Sequence, residues 1–211
     1  MKRKTIQNLV RFLLKTLTRT EFIDLENLPE KGGVIIAINH VHYLDTPVIF
    51  INPRRPDATA LVTTKYQKNI FMKWFTESAR GIWINRDIAD FTAIRKASKA
   101  LAEGLAVGIA PEGTRSKTGQ LQQGKPGTVM LAAKARVPIV PVGITGTRNS
   151  FRKIFTLRRP KITVRFGKAF MIPEFKQGER SADLQYWTDE LMRRIAELLP
   201  ESYRGVYAEQ V

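Results

Sequence analysis

The feature that most constrains this chain is a rhythm: short apolar runs recur between segments of helical character. Residues 34–38 (VIIAI), 60–63 (ALVT), 82–84 (IWI), 107–110 (VGIA) and 139–142 (IVPV) are too short for buried helices. Several are β-branched, so they read as buried strands. Residues 47–51, 67–76, 88–102 and 128–135 read as the helices between them. Residues 162–166 alternate in and out and predict one more strand, at an edge. Ser181 is placed to N-cap a last helix carrying Leu184, Trp187, Leu191, Ile195 and Leu198. Strands separated by helices predict an α/β domain, a mainly parallel mixed sheet flanked by helices. With 211 residues, one domain is the natural size.

Composition removes whole function classes. There is no cysteine, so disulfide scaffolds, thiolate nucleophiles and Cys-based zinc sites are excluded. Lys and Arg number 35 against 19 Asp and Glu, a formal charge of +16, which predicts an anionic partner. The charge is unevenly placed. Residues 1–20 hold six basic side chains and no acid, and residues 113–173 hold thirteen with no acid. No apolar run approaches the roughly 18–20 residues that span a bilayer.

Near the N-terminus Ile6, Leu9, Val10, Leu13, Leu14 and Leu17 fall at helical spacing, with Lys4, Arg11, Lys15 and Arg19 largely off that stripe. Two readings stay open. Such a helix lies flat on an anionic membrane, or it packs its stripe on the domain. Residues 1–24 are accordingly expected as a basic amphipathic, membrane-contacting helix and residues 25–211 as the main domain.

The polar residues cluster where strands end. His40 to Asp45 follow the first run, Asn85-Arg86 the third, Pro111 to Ser116 the fourth and Gly143 to Gly146 the fifth. In a parallel sheet these carboxyl ends share one edge, where ligand crevices open. On a continuous helix His40 and Asp45 would sit about 140° apart. They meet only if a loop carries one and a helix start the other. A carboxylate on one imidazole nitrogen fixes the tautomer and leaves the other nitrogen as a base. That pair suits direct activation of a substrate hydroxyl. A metal site built on His40 and His42 has no Cys or third His to complete it.

At this point the motifs resemble those of the glycerolipid acyltransferases. NHVHYLD is similar to that family's first block, GIWINR to its second, APEGTRS to its third and VPIVPV to its fourth, in order, over residues 39–142. The nearest subgroup is the 1-acyl-glycerol-3-phosphate (lysophosphatidate) acyltransferases. The resemblance implies His40 as base and Asp45 as its orienter. It also implies Arg86, Glu112, Gly113, Thr114, Arg115 and Lys125 as acceptor-binding residues, with no metal or resident cofactor. Its activity would pass a fatty acyl group from acyl-CoA or acyl carrier protein to the 2-hydroxyl of lysophosphatidate, giving phosphatidate for phospholipid biosynthesis. Residues 25–211 would be the acyltransferase domain, peripheral on the cytoplasmic face of an anionic membrane. His42 departs from a frequent Ser, Asn85 from Asp and Ala110 from Phe.

Other expectations accompany this one. Glycerol-3-phosphate or another lysolipid is the alternative acceptor. Ile70, Phe71, Met72, Trp74 and Phe75 are candidates for an acyl groove or, equally, for core packing, with Lys65, Lys68 and Lys73 among them. Backbone N–H groups near Gly113 are candidate oxyanion donors. Glu112 is expected to accept from an acceptor hydroxyl or to hold an arginine. From a different class, residues 148–168 with Phe151, Phe155 and Phe166 suit a nucleic-acid surface without catalysis. That reading leaves the motifs at the strand ends unexplained, and no nucleic-acid partner is expected.

Overall fold

Each strand of the sheet's centre is apolar on both faces, so each must be covered twice. In the computed structural model, which describes residues 3–173, 175 and 180–210, it is. The chain begins with α1 (Arg3–Leu17) and β1 (Arg19–Ile23), then β2 (Val34–Ile38), α2 (Asp45–Phe50), β3 (Thr59–Thr63), α3 (Ile70–Ser78) and β4 (Ile82–Ile84). It continues with α4 (Phe91–Ala102), β5 (Ala106–Ile109), α5 (Gly127–Ala135), β6 (Ile139–Thr145), α6 (Ser150–Phe155), β7 (Lys161–Phe166), α7 (Arg180–Glu197) and α8 (Glu201–Arg204). The Ser181 side chain lies outside the described residues.

One seven-stranded sheet has the order β1-β7-β6-β2-β5-β3-β4. The five strands from β6 to β4 run parallel, β7 is antiparallel to β6, and β1 is parallel to β7. The predicted mainly parallel mixed sheet is therefore the one observed. Along β2 the side chains alternate between two cores. Ile35 and Ala37 join α4, α5 and α7, while Val34, Ile36 and Ile38 join α1, α2 and α3. Burial on both sides is why this strand reads as an unbroken apolar run.

Several elements depart from the sequence expectation, among them β7, which lies between β1 and β6 rather than at an edge. The N-terminal helix ends at Leu17, and residues 19–23 form the edge strand β1 rather than its continuation. RTEFI shows only two apolar residues, because its single neighbour is β7 and much of it meets solvent. The short helix α6 was also not expected; it stands where the basic stretch was read as surface. Asp90 caps α4 by accepting from the Ala93 N–H at 2.9 Å, which starts that helix at Phe91, three residues later than predicted.

The stripe on α1 turns out to serve in part as core. Ile6 and Leu14 are buried against the sheet, and Gln7 donates to the Phe50 and Pro56 carbonyls at 3.1 and 2.7 Å. Arg3 donates to the Ala79 and Ala58 carbonyls. Leu9, Phe12, Leu13 and Leu17 remain exposed on its outer side.

Candidate active site

Because five strands run parallel, five carboxyl ends open on one edge, and each carries a polar or aromatic group. Past β2 stands His40, past β3 Tyr66, past β4 Arg86, past β5 Glu112 to Arg115, and past β6 Phe151. Asn39 pins the edge together. Its side chain donates to the Ile144 carbonyl at 2.9 Å and accepts from the Ile144 N–H at 2.7 Å, joining the end of β2 to β6.

The His40 Nδ1 and Asp45 Oδ2 atoms are 2.9 Å apart. A loop carries the histidine and the first turn of α2 the aspartate, as the five-residue spacing requires. The same Oδ2 accepts the N–H groups of Val41 and His42, both at 2.8 Å. Asp45 thus acts as acceptor three times, which places the His40 proton on Nδ1 and leaves Nε2 as a base. The Asp45 side chain is fully buried while that of His40 is 14% exposed, so of the pair only the imidazole reaches the surface.

The third motif holds this base from behind. Glu112 accepts the His40 N–H on Oε1 at 2.8 Å, and the Ser116 N–H donates to the His40 carbonyl at 2.8 Å. Oε2 of Glu112 accepts the backbone and side-chain N–H groups of Gln122 at 3.1 and 3.3 Å. Both carboxylate oxygens are thereby engaged inside the protein, and the side chain is 2% exposed. Among the described residues it holds no arginine, one of the two roles expected of it. Burial pushes its carboxyl up to about 7, against the opposing pull of the His40 and Gln122 N–H groups.

Cations gather around Gly113. Its φ of +72° suits glycine, and a Cβ there would come within 3.1 Å of the Lys125 side chain. Arg86 donates to the Gly113 carbonyl at 2.6 Å. Arg115 stacks on the Tyr43 ring with 3.7 Å to the centroid and donates to the Tyr43 hydroxyl at 3.0 Å. Thr114 stands exposed between these groups. Burial lowers the Arg86 pKa, and the nearby Arg115 charge lowers it further. Among the described residues neither guanidinium has a carboxylate within ion-pair distance.

Tyr43 and Tyr66 were not singled out from the sequence. Their rings lie 5.9 Å apart, and burial raises the Tyr66 hydroxyl pKa, which Arg115 opposes. No motif announces Tyr66, since it sits on a 3-10 turn between two elements. His42 is engaged elsewhere: its Nδ1 accepts the Leu44 N–H at 3.3 Å and its ring meets Phe151 edge-on at 4.6 Å. Burial first, and then Arg115 and His40, lower its pKa.

Two sequence alternatives change with these positions. Phe166 is fully buried, so one of the three aromatics invoked for base stacking is unavailable, whereas Phe151, in edge contact with His42, and Phe155 stay exposed. Of the groove candidates, Phe75 is core, packed on Phe50, while Ile70, Phe71 and Trp74 are exposed.

Comparison with known proteins bears on the family and the fold. A family model described as Acyltransferase matches residues 19–145. A 1-acyl-sn-glycerol-3-phosphate acyltransferase of Borreliella burgdorferi is 35% identical over 130 residues, 61% of this chain and 52% of that protein. One of Bacillus subtilis is 25% identical over 92% of this chain and 96% of its own length. The chain spans about half the length of the Borreliella relative and 39% of a Cocos nucifera one. The crystal structure of the 1-acyl-sn-glycerophosphate acyltransferase PlsC of Thermotoga maritima shares the fold, with a TM-score of 0.70 and 22% identity. That match covers 93% of this chain and 78% of the other.

Proposed function

The chain belongs to the acyltransferase family, and on that premise we propose that it transfers a fatty acyl group from a thioester to the 2-hydroxyl of 1-acyl-glycerol-3-phosphate, forming phosphatidate. The observation that carries this reading is the His40 imidazole, 14% exposed and oriented by buried Asp45, beside Arg86, Arg115 and Lys125, none of which has a carboxylate within ion-pair distance among the described residues.

His40 Nε2 takes the acceptor hydroxyl proton as that oxygen attacks the thioester carbonyl. The C–O bond forms, the C–S bond breaks, and the proton passes from His40 to the departing thiolate. Asp45 keeps the imidazole in the required tautomer and favours its protonated form between the two transfers. Glu112, through the His40 N–H, keeps the base at its place on the edge. Arg86, Arg115 and Lys125 receive the acceptor phosphate, Arg by its planar fork and Lys as a point charge. Either acyl-CoA or acyl carrier protein serves as thioester, both being anionic. No resident cofactor or metal is required by this scheme.

The domain works at a membrane surface, peripheral on the cytoplasmic face. Its support is the exposed apolar side of α1 among basic residues. No helix among the described residues is long and apolar enough to cross a membrane.

The test is an assay crossing acyl-CoA and acyl carrier protein with lysophosphatidate, glycerol-3-phosphate and a neutral monoacylglycerol. Lysophosphatidate is expected to be the best acceptor. Arg115→Ala should raise KM for the phosphorylated acceptors far more than for the neutral one. Equal losses on all three would remove Arg115 from phosphate binding, and a wild-type preference for the neutral acceptor would remove the phosphate reading.

A further inference from the structure

We propose that residues 150–159, helix α6 and the turn that returns it to β7, form a knuckle that docks on an anionic lipid bilayer. The proposal deepens the functional reading above, adding a second membrane contact that sits beside the catalytic loop.

Its apolar groups point the wrong way for a core. Phe155 is 84% exposed and Leu157 95% exposed. Leu157 also adopts a left-handed backbone with φ +57°, a conformation a leucine takes only at a cost and a glycine would take freely. Neither the burial nor the backbone of the isolated chain accounts for a leucine at that position.

Around these tips are Arg152, Lys153, Arg158 and Arg159, and no acid occurs from residue 113 to 173. Among the described residues none of the four forms an ion pair. Charge complementarity selects an anionic partner. The two protruding apolar side chains select one with an apolar interior just beneath its charged surface, which is a bilayer interface.

The knuckle is tied at both ends to parts that matter. Arg159 donates to the Lys15 and Thr18 carbonyls at 2.5 and 2.7 Å, joining it to the last turn of α1. That turn lies at the site's edge, because β1 and β7 run opposite to β6 and so begin where β6 ends. At the other end Phe151 meets His42, two residues from the base. A bilayer held by the knuckle and by α1 therefore lies along the edge on which His40 opens.

Two variants of the full chain test this. Phe155→Ser with Leu157→Gly removes the tips while relieving the left-handed backbone, so thermal stability should hold. Arg152→Glu with Lys153→Glu inverts the charge. Sedimentation with mixed phosphatidylcholine–phosphatidylglycerol vesicles should weaken about tenfold or more for the first pair. The second pair should lose the preference over phosphatidylcholine vesicles alone. Transfer to a short-chain, monomeric lysophosphatidate should stay at the wild-type rate in both. Unchanged vesicle affinity in the first pair overturns the proposal. So does a result in which both variants lose binding to purified acyl carrier protein yet keep vesicle affinity, since the knuckle would then be a protein-docking surface. Vesicle binding that responds as expected in a wild-type protein with no acyl transfer would support the knuckle and remove the functional reading instead.

Discussion

At the scale of single residues, the two histidines do different work although only one residue separates them. His40 gives Nδ1 to Asp45, and Nε2 is the proposed base, whereas His42 spends Nδ1 on the Leu44 N–H. A serine hydroxyl can make the same bond to the N–H two residues on, so a Ser in place of His42 would keep the turn. His40→Ala is expected to lower kcat by about 10²–10⁴-fold with the fold intact, and His42→Ser to retain most of it. Steady-state rates and circular dichroism on both variants check this. Glu112 makes a second prediction. Its carboxyl titrates near 7 in the folded chain against an unperturbed 4.5, so its stabilising contribution is full below about 4.5 and is lost as pH rises through about 7. The difference is roughly 3 kcal/mol at most. Urea unfolding of wild type and Glu112→Gln on either side of that interval, below about pH 4.5 and above about pH 7, should show the larger loss of stability in the wild type. The contact between His40 and Asp45 was legible because its spacing is local. The inward role of Glu112 was not, since Gln122 reaches it through a loop that carries no pattern.

Elements were legible in proportion to how much of their surface is buried. β2 and β4 have the predicted bounds, β5 and β6 begin at or within one residue of theirs, and both faces of β2 meet apolar side chains. β1 was missed because an edge strand with one neighbour has little apolar surface to show. α6 was missed for the opposite reason, since its apolar residues are largely exposed and follow no period that a core would impose. α1 answers the question its stripe posed by splitting it. Ile6 and Leu14 are core, and Leu9, Phe12, Leu13 and Leu17 are free. Ile6→Ala should therefore cost about 2–5 kcal/mol of stability. Phe12→Ser should cost little and instead weaken binding to anionic vesicles. Denaturant midpoints and vesicle sedimentation on the two variants separate these effects, which deletion of the whole helix would merge.

For the molecule as a whole, the charge of +16 is a statement about where the protein resides rather than how it folds. Vesicle affinity should fall steeply as salt is raised, because the Debye length shortens from about 10 Å at 0.1 M to about 3 Å at 1 M. Retained affinity at 1 M, a molar concentration chosen to order of magnitude, would mean that apolar insertion alone holds the protein. One consequence of the sheet's order concerns time rather than space. β1 has a single neighbour, and its residue 19 pairs with residue 161. During synthesis the strand therefore has no place in the sheet until β7 has been made, and a pairing so distant along the chain closes slowly. Throughout that interval α1 is tethered to an unplaced strand, with the side that will become core exposed alongside the side that will not. The nascent helix thus exposes more apolar surface than the mature one, and its earliest opportunity to meet a lipid surface comes before the domain behind it has folded.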